Sequence, residues 1–342
     1  MARLSILAAA LALISLTNAA DCGAGTPEAK VTGSSGAYVA TKGGSSVYSG
    51  SDYFAAINAA LGAIARGERL VVMASGSIGT NIISIGSGKI FEGCGTINLG
   101  YKAGRGGIES LNTKGASIPY LSLTGAPYFA MHFYGTTDLS LGKIVMNLTG
   151  GIGIRFDRDE AANKNVKMDS IKVTGATSHA VETWNIDGLT INEVVDRDVG
   201  ECGLLLQMTT NAHVGLVDAD NAALNGKLNG GYETNIFVDK VVAKGGGRGF
   251  FCVSESGGAE IRTVDISNTG NNAILIENCY GVTILGGTVN GGGEVRLAAR
   301  DEFALTNDIE LHLKVDGTTV RESPCGTNIV LDITGSATLD VC

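Results

Sequence analysis

A short phrase recurs along this chain and constrains its fold more than any other feature. It consists of an asparagine, a polar turn and an alternating apolar run, and it is clearest at residues 183–194 (TWNIDGLTINEV) and 277–287 (ENCYGVTILGG). A fainter copy lies at residues 209–219 (TTNAHVGLVDA). Repetition at intervals of roughly 20 to 50 residues is typical of folds in which one unit stacks on the next.

β-Branched runs extend this repetition over most of the chain. One apolar anchor per run gives steps of 27, 20, 25, 25, 23 and 20 residues between Ile144, Ile171, Ile191, Leu216, Val241, Val264 and Ile284. A second strand-like run, such as GIGIRF or NAILIEN, falls within each step. A loose period with two or three strands and no helical pattern predicts an all-β fold, a parallel β-helix.

Glycine and asparagine indicate where the chain turns. Glycine supplies 50 of 342 residues and proline only four, which excludes collagen and proline-rich linkers. Asparagine tolerates left-handed backbone geometry, so we expect it at the corners of coils, where stacked side chains can form ladders. The alternative is a β-sandwich, since Asn-Gly and Asp-Gly pairs suit hairpins. The persistent step favours the coils.

Three regions follow along the chain. Residues 1–20 carry Arg3, an apolar run over 4–16 and then small residues, which predicts a signal peptide. Residues 21–68 are expected to form an N-terminal segment with a helical cap, begun by Ser51 or Asp52. Its apolar face would cover the end of the bore and consists of Phe54, Ile57, Leu61 and Ile64. Residues 69–342 would form the β-helix as one domain.

Charge and cysteine content fit a secreted protein. The net charge of −9 becomes −10 when a leader carrying Arg3 is removed, which argues against binding to nucleic acid or to anionic membranes. The seven cysteines are an odd number, so at least one is free or joins another molecule. Of the possible pairs we favour Cys325 with Cys342. Asn147 begins a glycosylation sequon, and neither a C-x-x-C pair nor a histidine cluster suggests a structural metal site.

With its leader, helical cap and coils such as WNIDGLTI and ENCYGVTI, the chain resembles the pectin-lyase-like right-handed parallel β-helix proteins secreted by filamentous fungi. The resemblance covers about residues 50 to 335 and rests on repeat style. A single β-helix with few cysteines and no accessory module is also similar to the secreted virulence proteins, or effectors, of plant-pathogenic fungi. This second resemblance implies release into the host apoplast, with entry into host cells left open, and interference with host defence proteins such as pathogenesis-related proteins.

The resemblance also implies an activity that the residues do not support. Polygalacturonase-like relatives carry N-T-D, D-D, G-H-G and R-I-K in that order, and none is present here. Inverting hydrolysis needs two carboxylates about 6.5 to 9.5 Å apart. Acids one or two coils apart on one face could meet this distance. We therefore keep as weak candidates Glu182, Asp196, Asp198 and Asp218. His179 lies where the histidine-bearing turn of such an enzyme could sit.

A polysaccharide lyase would use different residues. It needs a lysine or arginine as base and a group that neutralises the uronate, often calcium held by acids. Arg197, between Asp196 and Asp198, and Arg248 in KGGGRGFF are the weak candidates. Calcium is the one cofactor that the sequence suggests, and only for a lyase.

Two further stretches are candidates for recognition. The segment 117–135 is rich in aromatic side chains that could stack on sugars or fill the bore: Tyr120, Tyr128, Phe129, Phe133 and Tyr134, with His132 among them. The charged segment 155–167 reads as a protruding loop on the rigid scaffold. Its Lys164 and Lys167 are candidates for partner contact or modification.

The sequence therefore leads to two functional hypotheses. The first is a secreted fungal virulence protein that binds host defence proteins, with cell-wall polysaccharide as a further possible partner. The alternative is a lyase or hydrolase acting on uronate-rich cell-wall polysaccharide. A purely structural wall protein is disfavoured because low-complexity and anchoring sequences are absent. A groove lined with cations and carboxylates would favour the enzyme, and one prominent charged loop would favour the binder.

Overall fold

The computed structural model describes residues 21–219, 222–225 and 234–342. The expected signal peptide, residues 1–20, lies outside the described residues. The described chain contains thirty strands and one helix, and it winds into a β-helix of about 11 coils. The expected all-β parallel β-helix with a short helix early in the chain is thereby confirmed.

The N-terminal part covers one end of the coils. It consists of β1 (Ala29–Ser34), β2 (Ala37–Lys42), β3 (Ser45–Gly50) and α1 (Tyr53–Ala63). The three strands pair antiparallel in order, and β1 also pairs parallel with the first coil. Asp52 is the N-cap of α1, since its carboxylate accepts a hydrogen bond of 3.0 Å from the Ala55 N–H. Ile57, Leu61 and Ile64 are buried as expected, whereas the antiparallel strands had no clear sequence signal.

The coils are built from short strands in a regular succession. In chain order these are β4 (Arg69–Val72), β5 (Gly76–Gly79), β6 (Ile83–Ser84), β7 (Ile90–Gly93), β8 (Thr96–Leu99), β9 (Gly106–Leu111), β10 (Ser117–Gly125), β11 (Phe129–Tyr134), β12 (Ser140–Leu148), β13 (Ile152–Phe156), β14 (Asn163–Thr174), β15 (Val181–Thr183), β16 (Ile186–Arg197), β17 (Leu204–Leu206), β18 (Thr209–Asp218), β19 (Ala222–Asn225), β20 (Thr234–Lys244), β21 (Arg248–Val253), β22 (Gly257–Ser267), β23 (Asn272–Glu277), β24 (Tyr280–Ile284), β25 (Gly287–Asn290), β26 (Glu294–Ala298), β27 (Asn307–Asp316), β28 (Thr319–Glu322), β29 (Thr327–Thr334) and β30 (Thr338–Asp340).

These strands stack in two sheets with parallel pairing. Sheet A has eighteen strands and contains the long strands of each coil, from β10 and β12 through β22 to β29. Sheet B has twelve strands and contains the second strand of each coil, from β6 and β9 to β30. The two families of runs seen in the sequence therefore correspond to the two sheets.

The register is more regular than the sequence indicated. Ile144 pairs with Ile171, Ile171 with Val194, Val194 with Val217, Val217 with Val241, and Val241 with Val264. The expected anchors Ile191 and Leu216 were therefore wrong, and most steps are 23 or 24 residues. The expected anchor Ile284 was also wrong, since it pairs with Ile261 and not with Val264. Each long strand of sheet A carries more than one inward apolar position, so the sequence alone could not select which of them stack.

The charged segment 155–167 forms a smaller protrusion than expected. Only residues 157–162 lie between β13 and β14, and Lys164 and Lys167 belong to β14. The strand starts early because Asn163, Val166 and Met168 point inward and are buried. The insertion accounts for the step of 27 residues between Ile144 and Ile171.

Asparagine occupies left-handed corners as predicted. Asn185, Asn211 and Asn278 of the repeated phrase have φ of +52°, +55° and +54°. Side-chain ladders also form, since Asn235 donates to the Asn211 carboxamide oxygen (3.0 Å) and Asn211 donates to Asp187 (2.7 Å). These bonds link consecutive coils at their edges.

Three disulfides stabilise the coils. They join Cys22 to Cys94, Cys252 to Cys279, and Cys325 to Cys342, so the pair favoured from the sequence is confirmed. Cys202 is free and buried, which accounts for the odd number. Three disulfides fit an extracellular protein. Within the described residues, no helix has the length and apolar character needed to cross a membrane.

Candidate functional site

A row of ionisable side chains runs along the outer face of sheet B. Glu109, His132, Arg155 and Glu182 pair with one another in register on β9, β11, β13 and β15. Their neighbours Ile108, Met131 and Ile154 point into the bore, so alternation directs the charged residues outward. Glu109, His132 and Glu182 are nevertheless only 1%, 3% and 5% exposed. Side chains from neighbouring positions cover them.

This row is internally neutralised. Arg105 contacts Glu109 at 2.6 Å, Arg155 contacts Glu182 at 2.5 Å, and His132 Nε2 lies 2.9 Å from Asp157. Burial alone would raise the pKa of Glu109, but hydrogen bonds from Arg105, His132 and the Gly106 N–H together lower it to about 2. The row is a buried polar network in which each acid contacts a basic side chain.

An open groove adjoins the end of this row. The sheet B groove, as we call it, has a volume of about 470 Å³, within the usual range for small-molecule sites. Leu205 and Cys202 are apolar residues of its lining, and they form a small cluster with Phe251 outside the bore. The complete set of described lining residues is His179, Trp184, Gly200, Glu201, Cys202, Leu205, Gln207, Gly247, Arg248 and Phe251.

The register explains why these residues meet. Leu205 follows Glu182 on β17, and β19 then connects this position to Phe251 on β21. The charged row therefore changes into an apolar row as it enters the groove. Trp184 marks the transition, since its indole N–H donates to Glu182 (2.8 Å) and the Arg158 guanidinium lies 5.4 Å from its ring centroid.

His179 is the histidine of the groove, and both of its ring nitrogens are engaged. Nδ1 accepts from the Cys202 N–H (3.2 Å), and Nε2 lies 2.8 Å from Glu201. Burial lowers the pKa of His179, against the opposing effect of Glu182 and Glu201, so the neutral ring is favoured. A neutral ring that accepts at Nδ1 carries its proton at Nε2 and donates it to Glu201. This imidazole is held in one tautomer and has no free lone pair to act as a base.

Gln207 offers an unused hydrogen-bonding group. Its side chain is 4% exposed, and its Oε1 has no hydrogen-bond partner among the described residues. A buried carbonyl oxygen without a donor is unfavourable by about 1 to 3 kcal/mol. A ligand or water with an O–H or N–H donor would remove that cost. The half-buried Phe251 supplies a ring nearby, with the Arg248 guanidinium 5.5 Å from its centroid.

Cys202 is not a nucleophile in this arrangement. Burial raises the pKa of its thiol to about 12, with further contributions from Glu201, Glu182 and Asp196. The thiol therefore stays protonated and packs as a small apolar group.

The six weak catalytic candidates lie in different environments. Asp196 is buried on β16 at 1% exposure, and Asp198 occupies an exposed corner with φ of +55°. Arg197 is exposed, and its guanidinium contacts the carboxylate of Asp218, another of the six, at 2.9 Å. Arg248 lies on β21 and is the only one of the six that lines the groove. Glu182 is held by Arg155 and Trp184.

The aromatic segment is divided between the bore and the surface. Phe133 is fully buried and packs on Phe156, with ring centroids 5.1 Å apart. Tyr128 is 38% exposed. The Phe129 ring packs beside His132 on the outer face of sheet B, with the two ring centroids 5.0 Å apart. His132 is structural, because its two nitrogens face Glu109 and Asp157.

The remaining candidates lie on sheet A. Lys164 and Lys167 are both exposed on β14, as expected for partner contact or modification. Lys167 borders a shallow groove of about 540 Å³, which is separate from the sheet B groove. Asn147 is exposed on β12 rather than in a loop, and the prediction of a glycan there stands.

Models of known protein families, curated proteins and solved structures were compared with this chain, and none of them matches it. The fold is consistent with a pectin-lyase-like parallel β-helix.

Sequence reasoning missed most of the groove. Trp184, Glu201, Gln207 and Phe251 belong to the strand-like runs HAVETW, CGLLLQM and GFFCVSE or to the turn before one of them. The available signal was a set of outward positions on sheet B that change from charged to apolar between consecutive coils. That signal can be read only when the register is known.

Proposed function

We propose that this protein is a secreted virulence protein of a plant-pathogenic fungus that acts by binding. Its partner is a host defence protein of the apoplast, such as a pathogenesis-related protein. The observation that carries the binding part is the composition of the sheet B groove. It has an apolar wall, a Gln207 carboxamide oxygen without a hydrogen-bond partner among the described residues, and a histidine whose nitrogens are both engaged. These groups suit recognition of a polar partner better than proton transfer.

Capture from host fluid tests the proposal. The mature protein and two variants, Phe251→Ala and Arg248→Ala, are immobilised and exposed to plant apoplastic fluid. Phe237→Ala and Arg262→Ala are matched controls, because Phe237 is 49% exposed on sheet A and Arg262 is also exposed there. We expect the wild type and the controls to retain one host defence protein. The groove variants should retain at least tenfold less of it.

A second set of variants separates the two candidate surfaces. Lys164→Glu and Lys167→Glu reverse the charge of the exposed pair on sheet A without touching the sheet B groove. Loss of capture in these variants alone would move the binding surface to sheet A. Absence of any retained host protein would reject the proposed partner.

The alternative is an enzyme that acts on uronate-rich polysaccharide. One observation favours it: the groove contains Arg248, able to neutralise a carboxylate, together with the carboxylate of Glu201. A cell-wall glycan also has the hydroxyl donors that the Gln207 oxygen lacks. Turnover of such a polymer that is abolished by Arg248→Ala would establish this alternative, and a calcium requirement would make it a lyase.

A further inference from the structure

The two ends of the β-helix are finished differently. At the N-terminal end, α1 and the strands β1 to β3 pack over the first coils. Ile57 and Leu61 of the helix are consequently 0% and 4% exposed. An apolar bore needs such a cover, because terminal units otherwise expose the face that internal units bury against their neighbours.

At the C-terminal end, no segment among the described residues packs over the last coil. Leu339 on β30 pairs with Val320 on β28 and points inward like it, yet Leu339 is 57% exposed whereas Val320 is 0% exposed. The inward positions of β29 repeat the pattern. Leu331 is only partly buried, although Leu311 beneath it on β27 is 0% exposed. The end of the bore is therefore an apolar surface.

The backbone of the same coil is also unpaired on one side. Within the described residues, β29 pairs only with β27, and β30 pairs only with β28. Exposed strand edges of this kind are usually protected by lysine, proline or bulges, because they recruit further strands. β29 (TNIVLDIT) contains neither lysine nor proline.

We propose that the C-terminal coil, residues 323–342, is an end-to-end interface with a second copy of this chain. Two copies related by a two-fold axis would set β29 antiparallel to itself. With the axis at Leu331, Ile329 faces Ile333 of the copy and Leu331 faces its own equivalent. In antiparallel pairs, opposed residues point to the same side, so all of these apolar side chains would close the joined bore.

Charges on the last coil are compatible with this arrangement. β29 carries one charged residue, Asp332, which contacts His312 at 3.1 Å, and β30 carries Asp340, which contacts Arg321 at 2.5 Å. In the register centred on Leu331, Asp332 faces Val330 of the copy rather than another acid. No like charges are therefore opposed on β29.

The coil is also held in place before association. The disulfide between Cys325 and Cys342 joins its start to its end, so little conformational freedom of the edge would be lost when two copies meet.

Sedimentation equilibrium of the mature protein over micromolar to millimolar concentration tests the proposal. We expect reversible dimers, and we expect Leu339→Lys to raise the dissociation constant at least tenfold, because it places two cations at the joined bore. The matched control is Leu285→Lys, since Leu285 is 48% exposed on the side of an internal coil. A wild type that stays monomeric throughout, or a dimer that Leu339→Lys leaves unchanged, would overturn the proposal.

A cross-linking experiment tests the register independently of stability. Leu331→Cys places two thiols opposite each other across the two-fold axis, at a separation that a disulfide can span. Under mild oxidation we expect a covalent dimer on a non-reducing gel. Leu285→Cys serves as the control for random collision, and equal cross-linking of the two variants would refute the proposed register.

Discussion

At the residue scale, the outer face of sheet B shows how the same alternation produces two chemical environments. Glu109 and Arg155 point outward and are neutralised by neighbours, whereas Leu205 and Phe251 continue the same row as apolar groups. The groove forms where the charged network ends. Ionised side chains that already have partners gain little from a ligand, so we assign recognition to the groove residues.

The buried carboxylate network predicts how stability depends on pH. Glu109 has a pKa of about 2 in the folded protein, below its unfolded value, so its contribution is present above about pH 4.5 and is lost as the pH falls toward 2. The contribution is at most about 3 kcal/mol. We expect Glu109→Gln to lower the unfolding free energy at pH 7 and to flatten its decline between pH 5 and 3, as measured by chemical denaturation. An unchanged acid slope would refute this role.

His179 predicts a second, milder pH effect. Its pKa is lowered in the folded protein, so the unfolded chain binds a proton more readily and stability falls as the pH decreases through the unfolded value of about 6.5. We expect the unfolding free energy of His179→Gln to fall less between pH 7 and 5.5 than that of the wild type, because the substitution removes the contribution of His179. The measurement is the denaturation midpoint at several pH values, with His213→Gln on the exposed face of sheet A as the control.

Cys202 should be chemically silent in the folded protein. Because burial raises its pKa to about 12, little thiolate forms at pH 8. We expect a thiol-reactive chromophore to report no free thiol in native protein and one thiol per chain in denaturant. Rapid modification of the native protein would contradict this and show that the reagent reaches the Cys202 thiol from the sheet B groove.

At the element scale, the corners of the coils depend on individual asparagines. Asn278 is 2% exposed with φ of +54°, and its carboxamide donates to the carbonyl oxygens of Arg300 (3.1 Å) and Ala304 (2.8 Å). Its oxygen accepts from the Arg300 N–H (2.9 Å). This one side chain therefore holds the turn that leads to the next coil.

Two substitutions separate the two contributions of Asn278. Asn278→Ala loses the hydrogen bonds and strains the left-handed backbone, and we expect it to lower the unfolding free energy by about 3 to 4 kcal/mol. Asn278→Gly loses the same bonds without the strain, so it should cost roughly 1 to 2 kcal/mol less. The difference is measured by chemical denaturation, and equal effects would exclude backbone strain as a factor.

The positions of the strands along the chain were more predictable than the register in which the strands stack on one another. The strand-like runs of both sheets, the Asp52 cap and the Cys325 to Cys342 disulfide follow from local patterns that one segment contains by itself. The partner of Ile171 could not be chosen between Ile191 and Val194, because both point inward on β16. The groove depends on that choice and on distant residues such as Phe251, so its residues could not be grouped from the sequence.

At the scale of the whole molecule, the β-helix is a rigid support for several surfaces. The sheet B groove lies on the middle coils, the Lys164 and Lys167 pair lies on sheet A, and residues 323–342 form the last described coil. A rigid rod with separate surfaces suits a protein that binds more than one partner at once. Dimerisation through the end would present two grooves and raise apparent affinity for a repeated ligand.

We propose that the sheet B groove binds a partner and does not convert a substrate. Its most direct test is incubation of the mature protein with pectate, polygalacturonate, rhamnogalacturonan and alginate, with and without calcium, while unsaturated uronate absorbance and new reducing ends are followed. We expect no product from the folded protein on any of these polymers. Product formation that Arg248→Ala or Glu201→Gln abolishes, and that Phe237→Ala leaves intact, would contradict the claim and establish an enzyme.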